Sequence, residues 1–189
     1  MIDLSKGLLD LGPVAEIHII SVRNECKEIV FIIKNKNYPP PTLHCVNLDS
    51  LHPPLQGNLT EEKSLSIEYC MPKNIILDPN TSILKAGLFK TIGHRYGLSK
   101  IAINTHFYTS DEKLKDFPGR QFEVIGPLNK KNVKKLLPAR KANVITKNYP
   151  LSAGKLKTQW GLDDGGNYFV LGFRDQENVA QCWLTKKIE

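Results

Sequence analysis

The chain has 189 residues, of which 41% are hydrophobic and 24% are charged, and its formal net charge is +7. This length allows one medium domain or two small ones, each with a packed core. The longest wholly aliphatic or aromatic run covers only residues 29–33, far short of the roughly 20 apolar residues of a membrane-spanning helix, and no export signal opens the sequence. We therefore expect a cytoplasmic protein without a membrane partner.

The first elements predicted are a short helix and three strands. Leu4, Leu8 and Leu11 lie at the spacing of one helix face, and Gly12-Pro13 follows as a stop signal. Strand-like runs then cover residues 14–22, 28–34 and 43–48. Because only residues 24–27 separate the first two runs, we predict an antiparallel hairpin with a tight turn.

The first two strand-like runs are apolar on both faces, as expected for strands that helices cover on each side. A doubly wound sheet places several βα units ahead of such strands, whereas here one helix precedes them. We therefore expect a truncated N-terminus and the remnant of a Rossmann-type sheet.

The middle of the chain alternates between loops and regular elements. Its composition predicts loops at 39–41 and 49–59, a short strand at 64–69, a strand at 101–108 and a turn at 117–119. One helix is predicted from Asp78 to Gly97, with Asn80 or Thr81 as its cap. Its apolar stripe consists of Ile83, Leu84, Leu88 and Ile92.

The last 70 residues predict the order β-α-β-α-β-β. Strands are expected at 121–125, 143–147, 168–173 and 179–185, and helices at 129–137 and 152–160, the second capped by Ser152. Residues 163–166 and 175–178 have the composition of turns.

Positive charge is concentrated in this last part. Residues 120–189 contain 13 Lys or Arg and 6 Asp or Glu, whereas residues 1–119 contain 13 of each kind. No acidic residue lies between Glu123 and Asp163. That interval holds nine of the basic residues: Lys130, Lys131, Lys134, Lys135, Arg140, Lys141, Lys147, Lys155 and Lys157.

An uninterrupted positive stretch attracts polyanions, whereas a surface that only solubilises a protein normally mixes charges of both signs. Lysines that merely solvate two helices remain the alternative interpretation. We favour the first and predict that the nine residues bind nucleic acid. Trp160, Tyr149 and Phe173 are candidates for stacking on bases, although packing in the core explains each of them more simply.

Other functional chemistry is missing from the sequence. No glycine-rich turn follows the first strand, so we predict no cofactor-binding residues. Asp163-Asp164 stands in a turn sequence, and His94, His106, Tyr108 and Cys26 share no spacing that would define a catalytic site. The four cysteines are far apart and form no C-x-x-C pair, so we predict free thiols and no metal site.

Two long stretches resemble a known family. They are residues 78–120, DPNTSILKAGLFKTIGHRYGLSKIAINTHFYTSDEKLKDFPGR, and 141–172, KANVITKNYPLSAGKLKTQWGLDDGGNYFVLG. These stretches resemble the ferredoxin-like insert and the THUMP-like C-terminal domain of bacterial class I S-adenosylmethionine-dependent methyltransferases. Residues 1–3 and 22–28 are similar to the last helix and strand pair of the catalytic domain in that family.

The resemblance implies an α/β (α+β) chain in three parts. Residues 1–72 would be the C-terminal portion of a methyltransferase domain, 73–119 a ferredoxin-like segment, and 120–189 a THUMP-like domain. THUMP domains occur in enzymes that modify structured RNA, so the resemblance implies RNA as a partner. The family holds S-adenosylmethionine upstream of the segment seen here, so the full-length protein would bind it and this chain alone would be inactive.

A second hypothesis belongs to another functional class. The basic face would dock on an acidic protein, or on the N-terminal catalytic domain of the same protein, and would not contact RNA.

Overall fold

The computed structural model describes residues 4–34, 39–50 and 52–188. The chain divides into two compact units. The first unit consists of Met1–Ile67, Pro79–Leu98 and Leu114–Gly119, and the second consists of Glu68–Asp78, Ser99–Lys113 and Arg120–Glu189. The three-part division expected from the resemblance stays a prediction.

A four-stranded sheet forms the centre of the first unit, with strand order β2-β1-β3-β4. The strands are β1 (Val14–Val22), β2 (Glu25–Ile33), β3 (Thr42–Asn47) and β4 (Leu55–Gly57). β1 pairs antiparallel with β2 and parallel with β3, and β3 pairs antiparallel with β4. The predicted hairpin is thus confirmed.

Four helices belong to this unit: α1 (Leu4–Asp10), α2 (Leu59–Ser64), α3 (Thr81–Ala86) and α4 (Phe89–Tyr96). α3 contacts β1, β2 and β3. On the two central strands Ile17, Ile19 and Leu43 are fully buried, whereas the alternate residues are only partly buried. β2 contains no buried residue, and its Val30 and Ile33 are exposed. The expectation of cover on both faces is therefore wrong for β2 in the described part of the chain.

Three further predictions are wrong. The predicted strand 64–69 does not form, since Ser64 ends helix α2 and residues 65–68 have no regular structure. Strand β4 forms inside the predicted loop 49–59. The single helix predicted from Asp78 to Gly97 is two helices. Gly87 ends α3 with the positive φ of 76°, a left-handed conformation that glycine adopts without strain and that stops a helix.

A seven-stranded sheet forms the second unit, with strand order β6-β7-β5-β8-β11-β10-β9. Its strands are β5 (Ile75–Pro79), β6 (Ser99–Ala102), β7 (Thr105–Ser110), β8 (Gly119–Pro127), β9 (Asn143–Lys147), β10 (Tyr168–Arg174) and β11 (Ala180–Lys187). The helices are α5 (Val133–Leu136) and α6 (Ala153–Trp160). The order β-α-β-α-β-β of the last 70 residues and the mixed α/β class are confirmed.

The two faces of this sheet have separate cores. α5 and α6 cover one face, where Val133, Leu137 and Leu156 pack with Val170 and Leu184. On the other face Ile76, Phe107, Phe122, Leu171 and Phe173 are fully buried. The sheet curls around this second core, because β9 at one edge also contacts β7 near the other edge.

The sequence prediction missed one strand of this sheet and merged two others. β5 was not predicted, and the predicted strand 101–108 is a hairpin of β6 and β7 with its turn at residues 103–104. α5 is four residues long rather than the nine predicted, since residues 130–132 form turns.

None of the helices in the described ranges has the length and hydropathy needed to cross a membrane. Cys26, Cys45, Cys70 and Cys182 are all free thiols, as predicted. Burial raises the pKa of Cys45 to about 12, so this cysteine is an unreactive core residue.

Candidate nucleic-acid surface

The basic segment lies on the helix-covered face of the second sheet. Val133 of α5 and Leu156 of α6 pack into the same core, so both helices lie on one side of the sheet. Their remaining side chains therefore face the solvent on that same side. Ser152 starts α6 by accepting a hydrogen bond from the Lys155 amide at 3.3 Å, as its sequence position predicted.

Six of the nine predicted residues are exposed: Lys130, Lys131, Lys134, Lys135, Lys141 and Lys155. We call them the exposed lysine set. No carboxylate oxygen of the described residues lies within 4.0 Å of their ammonium groups. Asp163 forms a β-bridge with Lys141 through the backbone. The positive charge of the set is therefore not compensated by close ion pairs with described residues.

Two other predicted residues already have partners. Lys157 forms an ion pair with Asp164, and Arg140 donates a hydrogen bond of 2.8 Å from Nη1 to the carbonyl oxygen of Trp160. Both are only partly exposed. They belong to the same segment, but a phosphate would have to compete with these contacts.

Lys147 lies apart from the other eight residues. Successive side chains of strand β9 point to opposite faces of the sheet, so Val144 packs toward the helices whereas Ile145 packs against the opposite core. Lys147 shares the face of Ile145, and its side chain is only 18% exposed. Its ammonium forms an ion pair with Asp78 and lies 4.9 Å from the centre of the Phe107 ring. Lys147 is therefore not on the surface with the exposed lysine set.

Asp78 stands at the centre of this internal ion cluster. Its carboxylate is 2% exposed and also accepts a hydrogen bond of 2.5 Å from Nη2 of Arg120. Burial lowers the pKa of Lys147, although Asp78 opposes that shift. The sequence reading took Asp78 as the start of a helix. The preceding apolar run, Ile75–Leu77, was the signal for a buried strand that carries this carboxylate.

The aromatic candidates for base stacking belong to the core. Phe173 is fully buried, and Tyr149 and Trp160 pack against the helix-side core. The Tyr149 hydroxyl accepts a hydrogen bond of 3.2 Å from the Cys182 thiol. Packing, the simpler interpretation of the sequence, is confirmed for all three.

The remaining polar candidates lie on several elements, and two of them share strand β7. Tyr108 is fully buried on β7, and burial together with Lys100 and Lys147 lowers the pKa of His106 on the same strand to about 4. Asp163 and Asp164 are exposed in the turn after α6.

Comparison with known proteins identifies two domains within this α/β chain. Residues 76–118 match the model of a ferredoxin-like domain, and residues 119–187 match the model of a THUMP domain-like family. The chain is also similar to the crystal structure of a "putative methyltransferase" from Porphyromonas gingivalis W83, with 32% identity and a TM-score of 0.90. That match covers 100% of this chain and 49% of the other, so the chain spans about half of that protein. None of the curated proteins matches it significantly.

A site for S-adenosylmethionine in such folds needs a glycine-rich turn between a strand and a helix. Gly57 is a glycine at the end of a strand before a helix. A Cβ at this position would lie 3.1 Å from Cδ1 of Leu88 and 3.3 Å from Cγ2 of Thr91. Gly57 thus permits close packing against α4 and offers no open cradle.

Proposed function

We propose that this chain is the substrate-recognition part of an S-adenosylmethionine-dependent methyltransferase that acts on RNA. In this proposal the exposed lysine set binds RNA phosphates and orients the target nucleotide toward a catalytic domain, outside this chain, that holds the methyl donor. Phosphate contacts of this kind position an RNA without reading its sequence.

The observation that carries the proposal is the charge of the exposed lysine set, which no close ion pair compensates and most of which lies on or next to the two helices that cover one face of the sheet. The THUMP-like match covers the residues that carry this set, and the similarity to the "putative methyltransferase" from Porphyromonas gingivalis supports the link to methyl transfer. The two other surface residues, Arg140 and Lys157, would strengthen binding at the margin of the set. Lys147 would take no part.

An RNA-binding titration tests the proposal. A fluorescein-labelled single-stranded RNA is titrated with the chain at several salt concentrations, and anisotropy gives the binding constant. Each lysine–phosphate contact on a single strand contributes about −0.7 to the slope of log K against log salt, so six contacts give a slope of about −4. A slope near zero would contradict the proposal.

A matched pair of charge variants locates the contact. The variant K130E/K131E/K134E/K135E is expected to lose most of the RNA affinity. The control K6E/K27E/K63E/K115E changes the net charge equally but alters exposed lysines outside the basic segment, and it should retain most of the affinity. Equal losses in both variants would show only a general effect of charge.

The docking hypothesis predicts a different result. A basic face that binds an acidic protein would bind polyglutamate more tightly than an RNA of equal charge. We expect RNA to displace polyglutamate from the chain. If polyglutamate displaces RNA instead, the docking hypothesis replaces the RNA proposal.

A further inference from the structure

Three potential metal ligands lie together on the sheet of the first unit. Glu16 and His18 are two positions apart on β1, so their side chains leave the same face of the strand. His44 is the direct partner of His18 on the neighbouring strand β3. This face is the opposite of the one that buries Ile17 and Leu43. The three side chains therefore meet on the less covered side of the sheet.

Their donor atoms converge on a small volume. Nε2 of His18 and Nε2 of His44 each lie 3.5 Å from the same carboxylate oxygen, Oε2 of Glu16. The three donor atoms all lie within 4.8 Å of one another. Tetrahedral zinc with bonds of about 2.1 Å to nitrogen places neighbouring ligand atoms about 3.4 Å apart. The two histidine–carboxylate separations already match this geometry.

The nitrogen atoms have no other satisfied role. Both Nε2 atoms are shielded from solvent and lack a hydrogen-bond partner among the described residues. A distance of 3.5 Å to Glu16 is too long for a good hydrogen bond. Two shielded ring nitrogens beside one carboxylate are costly without a close partner, and a cation would satisfy both of them.

The imidazole rings are stacked, with centroids 4.4 Å apart and an angle of 9° between their planes. Coordination of one ion requires the rings to tilt toward each other. Histidine rotates readily about its second side-chain torsion, whose energy profile is broad. The required change is thus a local rotation of two side chains on a rigid pair of strands.

A neighbouring lysine orients the Glu16 carboxylate, and a cavity connects Glu16 and His44 with solvent. Nζ of Lys34 lies 3.2 Å from Oε1 of Glu16, which leaves Oε2 directed at the histidines. A cavity of about 370 Å³ is lined by Glu16, Lys34, Thr42 and His44, among others. This space gives an ion a path from solvent and room for a water molecule or a small anion as a further ligand.

We propose that Glu16, His18 and His44 form a binding site for one divalent transition-metal ion of the zinc type, with an open coordination position toward the cavity. Two imidazoles and one carboxylate are a donor set that zinc takes in proteins. The spacing of the cysteines predicted no metal site. The two histidines are 26 positions apart in the chain, and the parallel pairing of β1 and β3 joins them.

Metal titration of the purified, tag-free chain tests the site. Zn²⁺ titrated by calorimetry is expected to bind with a stoichiometry of one, and Co²⁺ should give the visible absorption of a nitrogen- and oxygen-ligated ion. His18→Gln and His44→Gln should each weaken Zn²⁺ binding by at least about tenfold. The controls His52→Gln and His94→Gln should bind as the wild type does. Absence of binding, or unchanged affinity in the His18→Gln/His44→Gln double variant, would overturn the proposal.

A measurement on the unaltered chain covers the case in which a variant does not fold. Long-range ¹H–¹⁵N spectra report each imidazole nitrogen directly. Zn²⁺ should shift the Nε2 resonances of His18 and His44 and leave those of the other histidines in place. Shifts confined to other histidines, or none at all, would contradict the site.

Discussion

Lys147 differs from the other basic residues between 124 and 162 in where its side chain points. The curled sheet of the second unit places it on the inner face of β9, where it meets Asp78. Asp78 is almost completely buried and also binds Arg120. A buried carboxylate with two cationic partners is a structural element, because removal of one charge leaves the others uncompensated.

This cluster gives a prediction about stability. Asp78→Asn leaves the ammonium of Lys147 without its counter-charge, and we expect it to lower the free energy of unfolding by about 3–5 kcal/mol. Lys147→Met keeps the Asp78–Arg120 pair and should cost less, about 2 kcal/mol or below. Urea unfolding followed by the fluorescence of Trp160 and Trp183 measures both, since the second unit contains both tryptophans.

The control for this prediction is the RNA titration. Lys147→Met should bind RNA as tightly as the wild type, because the side chain is enclosed. A larger loss of stability in Lys147→Met than in Asp78→Asn would show that the cluster is held together differently.

At the scale of elements, residues from distant segments accept hydrogen bonds from the first amides of α3 and α4. Asn24 lies in the turn between β1 and β2. Its side-chain oxygen accepts a hydrogen bond of 2.8 Å from the Thr81 amide, and its backbone carbonyl accepts one of 2.5 Å from the Thr81 hydroxyl. Glu62 of α2 accepts hydrogen bonds of 2.8 Å from the amides of Lys90 and Thr91. Helices of six and eight residues are unstable alone, so these contacts help to define where they begin.

The sequence predicted Asn80 or Thr81 as the helix cap, and Asn80 is the N-cap residue of α3, although its side chain makes no capping hydrogen bond. Arg23 and Asn24 both have positive φ, 49° and 59°, in a two-residue turn. This turn type favours asparagine for its backbone conformation, and here the side chain has a second role as a cap. Sequence spacing did not reveal that role, because 57 positions separate Asn24 from Thr81.

Substitution of Asn24 separates the two roles. Asn24→Gly keeps the turn, since glycine adopts positive φ, but removes the side-chain oxygen that binds the Thr81 amide, and we expect a loss of about 1 kcal/mol in stability. Asn24→Asp keeps both the acceptor and the turn and should remain close to the wild type. Hydrogen exchange of the α3 amides measures the effect locally. Equal exchange rates in Asn24→Gly and the wild type would contradict a capping role.

At the scale of the whole molecule, stability should depend on pH through buried histidine. Burial and two neighbouring lysines lower the pKa of His106 to about 4, from its usual 6.5. Below pH 6.5 the unfolded chain takes up a proton that the folded chain accepts only near pH 4. The unfolded state therefore binds more protons in this window, and the stability of the folded state falls as the pH is lowered from 6.5 to 4.

We expect the free energy of unfolding to fall by about 1–2 kcal/mol between pH 6.5 and 4, because the His106 ring is not fully buried and solvent screens its charge. Urea unfolding of the second unit at a series of pH values, again by tryptophan fluorescence, gives the curve. His106→Gln should flatten it in this window, whereas the exposed His94→Gln should leave it unchanged. An equally steep curve for His106→Gln would show that other groups cause the pH dependence of stability.

The sequence by itself determined the local features of this protein. Periodicity and turn residues located α1, β1, β9 and α6 almost to the residue, because the apolar pattern of each element and the turn signals that bound it are local in the sequence. The same holds for the order β-α-β-α-β-β and for the concentration of lysines. The exposed lysine set, in contrast, required the structure, since a sequence does not distinguish a lysine in solvent from one that is paired with a distant carboxylate.

Tertiary structure alone decided every feature that joins remote segments. Strand pairing placed His18 beside His44, the hairpin turn brought Asn24 to the start of α3, and the curled sheet brought Asp78 to Lys147. Each of these contacts joins residues separated by many positions, and the chain forms them only when burial of the two sheets repays the entropy of closing the loops.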